Sequence, residues 1–200
     1  MSLFPIFLKL EGRTCLVIGA GSVGEPKIRS LLQAKADVRV IAPATTAAVA
    51  AWANAGVLTW QSRNFVPQDL DGVFLVIAAT NSPEVNDEIY REAQRRKILC
   101  NAVDDPEHCD FYYPAVLRRG QLQFAISTGG RSPALAQRLR RELETQYSAE
   151  YAGWVEELGN ARKKLQASDL APEAKKRKLH ELASQEAFVD AQRPDPGDIS

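Results

Sequence analysis

Three short stretches of this chain hold residue types that could do chemistry. The first is Gly19-Ala20-Gly21-Ser22-Val23-Gly24, set directly after the apolar run Thr14-Cys15-Leu16-Val17-Ile18. A buried strand that runs into G-x-G-x-x-G and then into an apolar-periodic helix reads as a dinucleotide-binding turn. The first glycine permits the tight turn, the second lets the backbone approach a pyrophosphate, and the third lets helix pack on strand. The helix N-terminus offers N–H groups and a positive dipole end to the phosphates. The implied ligand is a nicotinamide or flavin nucleotide, held by Gly19, Gly21, Ser22, Val23 and Gly24. The second stretch is Asn101-Ala102-Val103-Asp104-Asp105-Pro106, with His108 close behind. Asp104 or Asp105 could serve as base, acid or metal ligand, or the pair could be a plain Asp-Asp-Pro turn. Asp104 with His108 could hold a divalent metal. The third is Ser127-Thr128-Gly129-Gly130-Arg131-Ser132, a hydroxyl- and glycine-rich loop. It could cradle an anion on backbone N–H groups or simply join a strand to a helix.

These stretches need elements to position them. Thr14–Ile18 reads as a strand, Val23–Ala34 as a helix, and Asp37–Ala42 as a second strand. Thr45–Ala55 reads as a helix stopped by Gly56, and Val57–Gln61 as a third strand. Gly72–Ala79 is a continuous apolar run, as expected of a central parallel strand. Thr80-Asn81-Ser82-Pro83 then offers cap chemistry for a helix over Glu84–Arg96, and Ile98–Asn101 is a fifth strand. Alternation of this kind predicts an α/β Rossmann-type parallel sheet over residues 1–113. Thr80 and Asn101 follow strand ends at the edge where such sheets bind ligands, so both are placed at the cofactor, with a plain cap of the strand end as the other reading of Asn101. An acid for the ribose hydroxyl is expected about 20 residues past the glycines. Pro43 and Ala44 stand there instead, so contacts would come from backbone and shape, and NAD and NADP are not distinguished.

After Pro114 the pattern changes. Ala115–Arg118 and Leu122–Ser127 read as a hairpin around Arg119-Gly120-Gln121. Ser132 and Pro133 open a helix over Ala134–Tyr147. Residues 114–147 form a small α+β segment, 148–192 a helical region with a break near Asp169–Pro172, and 193–200 a tail expected to be disordered. One hairpin and one helix bury too little to stand alone, which predicts packing on the first domain or on a second copy of the chain. All six cations of 114–145 are arginines (Arg118, Arg119, Arg131, Arg138, Arg140, Arg141), against two acids there. Arginine suits bidentate binding of carboxylate or phosphate, while i,i+4 pairing on a solvated helix is the plainer account.

Composition bounds the rest. The 200 residues are 45% hydrophobic and 25% charged, with a formal net charge of zero. No membrane-length apolar run and no signal peptide are visible, which predicts a cytoplasmic protein. No strongly basic domain suggests nucleic acid. Cys15, Cys100 and Cys109 lack metal or disulfide spacing, and Cys15 and Cys100 read as small core residues.

Taken together, the motifs resemble the precorrin-2 dehydrogenases of sirohaem synthesis, including the N-terminal part of multifunctional sirohaem synthase. The resemblance rests on Leu3-Phe4-Pro5-Ile6-Phe7, the glycine turn with Lys27, Ile41-Ala42-Pro43, Ile77-Ala78-Ala79-Thr80, Asn86, Cys100 to Asp104, Phe111 with Pro114, and Ser127 to Ala136. It covers residues 3 to about 145. It implies NAD-dependent oxidation of precorrin-2 to sirohydrochlorin, with Asp104 as catalytic base and as an aid where Fe²⁺ is inserted. It also implies a homodimer and a tetrapyrrole polycarboxylate substrate, met by Thr128, Gly129, Arg131 and Arg118. A nucleotide-binding regulatory module without catalysis is the alternative reading.

Overall fold

The apolar runs form the strands expected of them. The structure, a computed structural model, describes residues 3–191, so the expected tail 193–200 lies outside the described residues. Two units divide the chain, Met1–Tyr112 and Tyr113–Ser200.

The first unit is built from β1 (Thr14–Ala20), α1 (Gly24–Gln33), β2 (Asp37–Thr45), α2 (Ala47–Asn54), β3 (Thr59–Gln61), β4 (Leu75–Ala78), α3 (Pro83–Arg96) and β5 (Leu99–Ala102). The five strands form one parallel sheet in the order β3-β2-β1-β4-β5. From β1 the chain moves one way to β2, and from β4 the other way to β5. Right-handed crossovers therefore put α1 and α3 on opposite faces. Period-2 alternation serves both faces: Leu16 and Ile18 pack with Val76, Ile89 and Cys100 under α3, while Cys15 and Val17 turn to the other face and are equally buried. Burial pushes the thiols of Cys15 and Cys100 up to about 11 and about 12, as small core residues require.

Four boundaries differ from expectation for reasons that the structure shows. β2 runs on to Thr45 rather than ending at Ala42, because the register of β1 shifts between Ile18 and Ala20 and brings Ala20 opposite Thr45. α2 therefore starts later, with Thr46 Oγ1 accepting from the Val49 N–H at 3.3 Å. β3 starts at Thr59 because the Val57 N–H is taken by Trp52 O at 2.9 Å, at the end of α2. β4 starts at Leu75 because Gly72 (φ +71) and the Val73 N–H, bonded to Leu70 O, complete a turn.

The second unit opens with the antiparallel pair β6 (Ala115–Arg119) and β7 (Leu122–Ile126), followed by α4 (Pro133–Gln146), α5 (Tyr151–Gln166), α6 (Pro172–Leu182) and α7 (Gln185–Ala191). Its core is aromatic. Phe124 meets Tyr147 at 4.6 Å between ring centroids, Tyr147 meets Tyr151 at 5.2 Å, and Tyr151 meets Phe188 at 4.1 Å, with Trp154 closing the cluster. Each such pair adds about 0.5–1.5 kcal/mol beyond area burial. The core that the hairpin and α4 lack is thus supplied within the same unit by α5 and α7. Among the described residues no helix is long and apolar enough to cross a membrane.

Candidate nucleotide site and the Asp104 loop

The chain order reverses between β1 and β4, and open α/β sheets bind ligands beyond the strand ends at that point. A cleft of about 840 Å³ lies there, lined by the glycine turn, by Ile41–Thr46 at the end of β2, by Arg63, Asn64 and Phe65, and by Ala79–Ser82 after β4. Gly19, Gly21, Ser22, Val23, Pro43, Ala44 and Thr80, all expected at the cofactor, line it.

The three glycines differ in what surrounds them. Gly19 has φ +95, and a Cβ on it would sit 2.2 Å from Ala79 O. A Cβ on Gly24 would sit 2.2 Å from Gly19 O, so this glycine does not line the cleft but lets α1 close on the turn. A Cβ on Gly21 meets nothing within 4 Å: the second glycine faces open space, as close approach of a pyrophosphate would require. Thr46, Ser82 and Ser132 cap α2, α3 and α4 with side-chain oxygens, whereas the N-cap of α1 is Val23, which has no acceptor to offer. An uncapped N-terminus beside an open glycine fits a dinucleotide phosphate.

This fit makes a prediction. Gly21→Asp is expected to fold as the wild type, because its side chain has room, and to lose NAD affinity by more than about 100-fold, because a carboxylate then occupies the phosphate path. Calorimetric titration with NAD alongside a thermal melt checks both halves. Normal affinity would reduce the glycine turn to a structural role.

Thr80 is held at the far wall by Asn86. Its hydroxyl donates to Asn86 Oδ1 at 2.7 Å, and Asn86 Nδ2 donates back to Thr80 O at 3.3 Å. Of the two roles expected of Asn101, the hydrogen bonds here are those of the strand end. It is 6% exposed, does not line the cleft, and donates to Phe111 O at 2.8 Å and Cys109 Sγ at 3.3 Å. An amide at the end of a buried strand satisfies its donors on the returning chain.

That returning chain makes the Asp104 loop a fixed object. Val103 N–H donates to Ala78 O at 2.9 Å, so β5 stays bonded to β4 up to the residue before Asp104. Cys109 Sγ donates to Ala102 O, and Asp110 accepts the Cys100 N–H at 2.9 Å. Asp104 stands exposed at the tip with φ +62, a left-handed conformation that Asp tolerates better than most residues. Half-buried Lys27, from the first turn of α1, faces it: burial lowers the Lys27 ammonium, and the charges of Asp104 and Cys109 pull it back up.

His108 has partners other than Asp104. Its Nδ1 lies 2.6 Å from Asp105 Oδ2, its Nε2 3.8 Å from Asp87 Oδ1, and its ring 4.4 Å from that of Tyr90. The hydrogen bond from His108 holds the Asp105 carboxyl below its usual value. Among the described residues no three His, Cys, Asp or Glu side chains gather as a metal site. The i,i+3 spacing of Asp105 and His108 carried this pairing; the expected Asp104–His108 ligand pair set it aside.

In the second unit, Gly129 (φ +62) and Gly130 (φ +79) shape the Thr128 loop, and Thr128 Oγ1 accepts the Ser132 N–H at 3.0 Å. The arginines divide. Arg119 donates to Tyr147 O and Glu144 O at the end of α4, while Arg138 and Arg140 form i,i+4 pairs with Glu142 and Glu144. Arg118, whose Nε donates to Gln123 Oε1 at 3.4 Å, and Arg131 are exposed.

Comparison with known proteins matches residues 6–115 to the family described as "Putative NAD(P)-binding". The chain belongs to this NAD(P)-binding family. Residues 119–146 of the NAD(P)-binding chain match a second family, "Sirohaem biosynthesis protein central". Siroheme synthase 1 of Aeromonas hydrophila is 44% identical over 144 residues, 72% of this chain and 31% of that protein. Siroheme synthase 1 of Pectobacterium atrosepticum is 37% identical over 188 residues, 94% of this chain and 37% of that protein. The chain thus spans about a third of these relatives. Among solved structures it is similar to "SirC, precorrin-2 dehydrogenase", at 28% identity and a TM-score of 0.80, covering 94% of this chain and 92% of that one.

Proposed function

We propose that this chain oxidises precorrin-2 to sirohydrochlorin with NAD as the oxidant. The observation that carries the reading is a nucleotide cleft whose β4 wall is bonded directly to the strand end that presents Asp104. The likeness to SirC along nearly the whole chain supports it.

When bound, NAD would supply a hydride acceptor for the macrocycle. The glycine turn and the α1 N-terminus hold its phosphates. Thr80, fixed by Asn86, forms the wall after β4. Asp104 takes the proton that leaves the macrocycle as the hydride departs, so two electrons and two hydrogens are accounted for. Lys27 places a positive charge beside that carboxylate. Arg118, Arg131, Thr128 and Gly129 meet carboxylates of the substrate. Fe²⁺ enters this account only as a further substrate. Exposed Phe4, Ile6 and Phe7, at 85%, 59% and 70% exposure, support a homodimer, since contiguous apolar side chains at a surface favour association.

The test is anaerobic incubation with precorrin-2 and NAD, following NADH and sirohydrochlorin absorbance together. Matched appearance of both is expected, and Fe²⁺ added afterwards tests chelation. Bound NAD without NADH would overturn the dehydrogenase in favour of a regulatory module.

A further inference from the structure

The cleft is walled beside Pro43 and Ala44 by Arg63, and Ser62 Oγ ties this segment to Pro43 O at 2.9 Å. Dinucleotide folds read the adenosine ribose here: an acid takes the 2′-hydroxyl of NAD, and an arginine accommodates the 2′-phosphate of NADP. This chain lacks the acid and has the arginine, which taken alone favours NADP.

The hydrogen bonds of Arg63 reverse that conclusion. A guanidinium has five N–H donors. Here Nε donates to Gln61 Oε1 at 2.9 Å, Nη1 to Asn64 O at 3.0 Å and Asp69 Oδ2 at 2.7 Å, and Nη2 to Gln61 Oε1 at 2.6 Å and Asp69 Oδ1 at 2.5 Å. All five are committed within the protein. Asp69 also compensates the charge, and its side chain is 10% exposed against 38% for Arg63. Burial works to raise the Asp69 carboxyl, yet hydrogen bonds from Arg63 and from the Val66 N–H hold it below its usual value.

We propose that Asp69, acting through Arg63, sets the choice of nucleotide in favour of NAD over NADP. Asp69 is a positioning residue: it turns a guanidinium that would pair with a 2′-phosphate into a neutralised wall. The inference rests on the nucleotide reading of the cleft.

Calorimetric titration of the full chain with NAD and with NADP tests it. The wild type is expected to bind NAD at least about tenfold more tightly. Asp69→Asn keeps shape and an acceptor for Val66 but frees charged donors. It is expected to move the ratio toward NADP by about tenfold or more, the scale of a charge-assisted hydrogen bond. Adding Arg63→Met to that variant is expected to abolish the gain. A wild type that prefers NADP, an unchanged ratio in folded Asp69→Asn, or a gain that survives loss of Arg63 overturns the proposal. Should Asp69→Asn fail to fold, Gln61→Leu on exposed β3 frees two donors without touching Asp69. A shift in the same direction then supports the proposal, and no shift overturns it. A wild type that binds neither nucleotide overturns the cofactor reading itself.

Discussion

Asp104→Ala is expected to keep its affinity for NAD and to lose turnover of precorrin-2 by about 10²–10⁴-fold, the scale of a positioned acid–base group. Affinity should hold because the carboxylate does not line the cleft, and the loop that carries it is fixed by backbone and side-chain bonds on both sides. Alanine has one defect as a probe. At φ +62 it costs about 1–2 kcal/mol that Asp and Asn largely avoid, so the loop could shift for reasons of shape. Asp104→Asn removes the charge and keeps the conformation. Equal losses in the two variants, measured under saturating NAD, assign the effect to the carboxylate. Turnover preserved in the Asn variant would remove Asp104 from the chemistry.

The second large effect is on stability. Gly19→Ala is expected to cost about 2–5 kcal/mol, combining a left-handed φ with a methyl group driven into a backbone carbonyl. The clash is with Ala79 O, 2.2 Å from the new Cβ, and that carbonyl belongs to the opposite wall of the cleft. Neither side has a flexible side chain that could give way. Gly56→Ala is the matched control: its φ is +69 and a Cβ there meets nothing within 4 Å, so it pays the conformational cost alone. Urea unfolding of both variants separates the terms. Should the two lose the same amount, the approach of Gly19 to Ala79 is not what makes glycine necessary.

Much of this fold is written locally. The apolar run of β1, the glycine turn, and the caps Ser82-Pro83 and Ser132-Pro133 each specify their element within a few residues, and the structure uses each as read. The strand ends that sequence misplaces, at Ala42 and Gly72, are set by pairing across the sheet or by a turn closing behind, neither of which has a local signature. The same divide runs through the candidate site. Gly19, Gly21, Pro43, Ala44 and Thr80 were legible because motif and strand order place them. Arg63 and Asp69 were not: six residues apart in an aperiodic segment, they meet only because the short helical turn Pro67–Leu70 folds back. Asn101 sits where a cofactor contact belongs, but the return of the chain at Cys109 and Phe111, invisible along the sequence, claims its amide.

The strand order also fixes when the cleft can exist. β1 is central, flanked by β2 within the next 31 residues of chain and by β4 only from Leu75 onward. A ribosome adds about 5–20 residues per second, so for about 1–3 seconds the emerging chain holds β1, β2 and β3 with one side of β1 unpaired. Such an edge is a template for wrong pairing. The glycine turn is among the first parts made, yet the carbonyl against which Gly19 packs arrives with Ala79, and the far wall with Thr80 to Ser82. Nucleotide therefore cannot assist the early chain. It can only reward the arrival of β4, which makes the fourth strand the step that commits a nascent molecule to its final form.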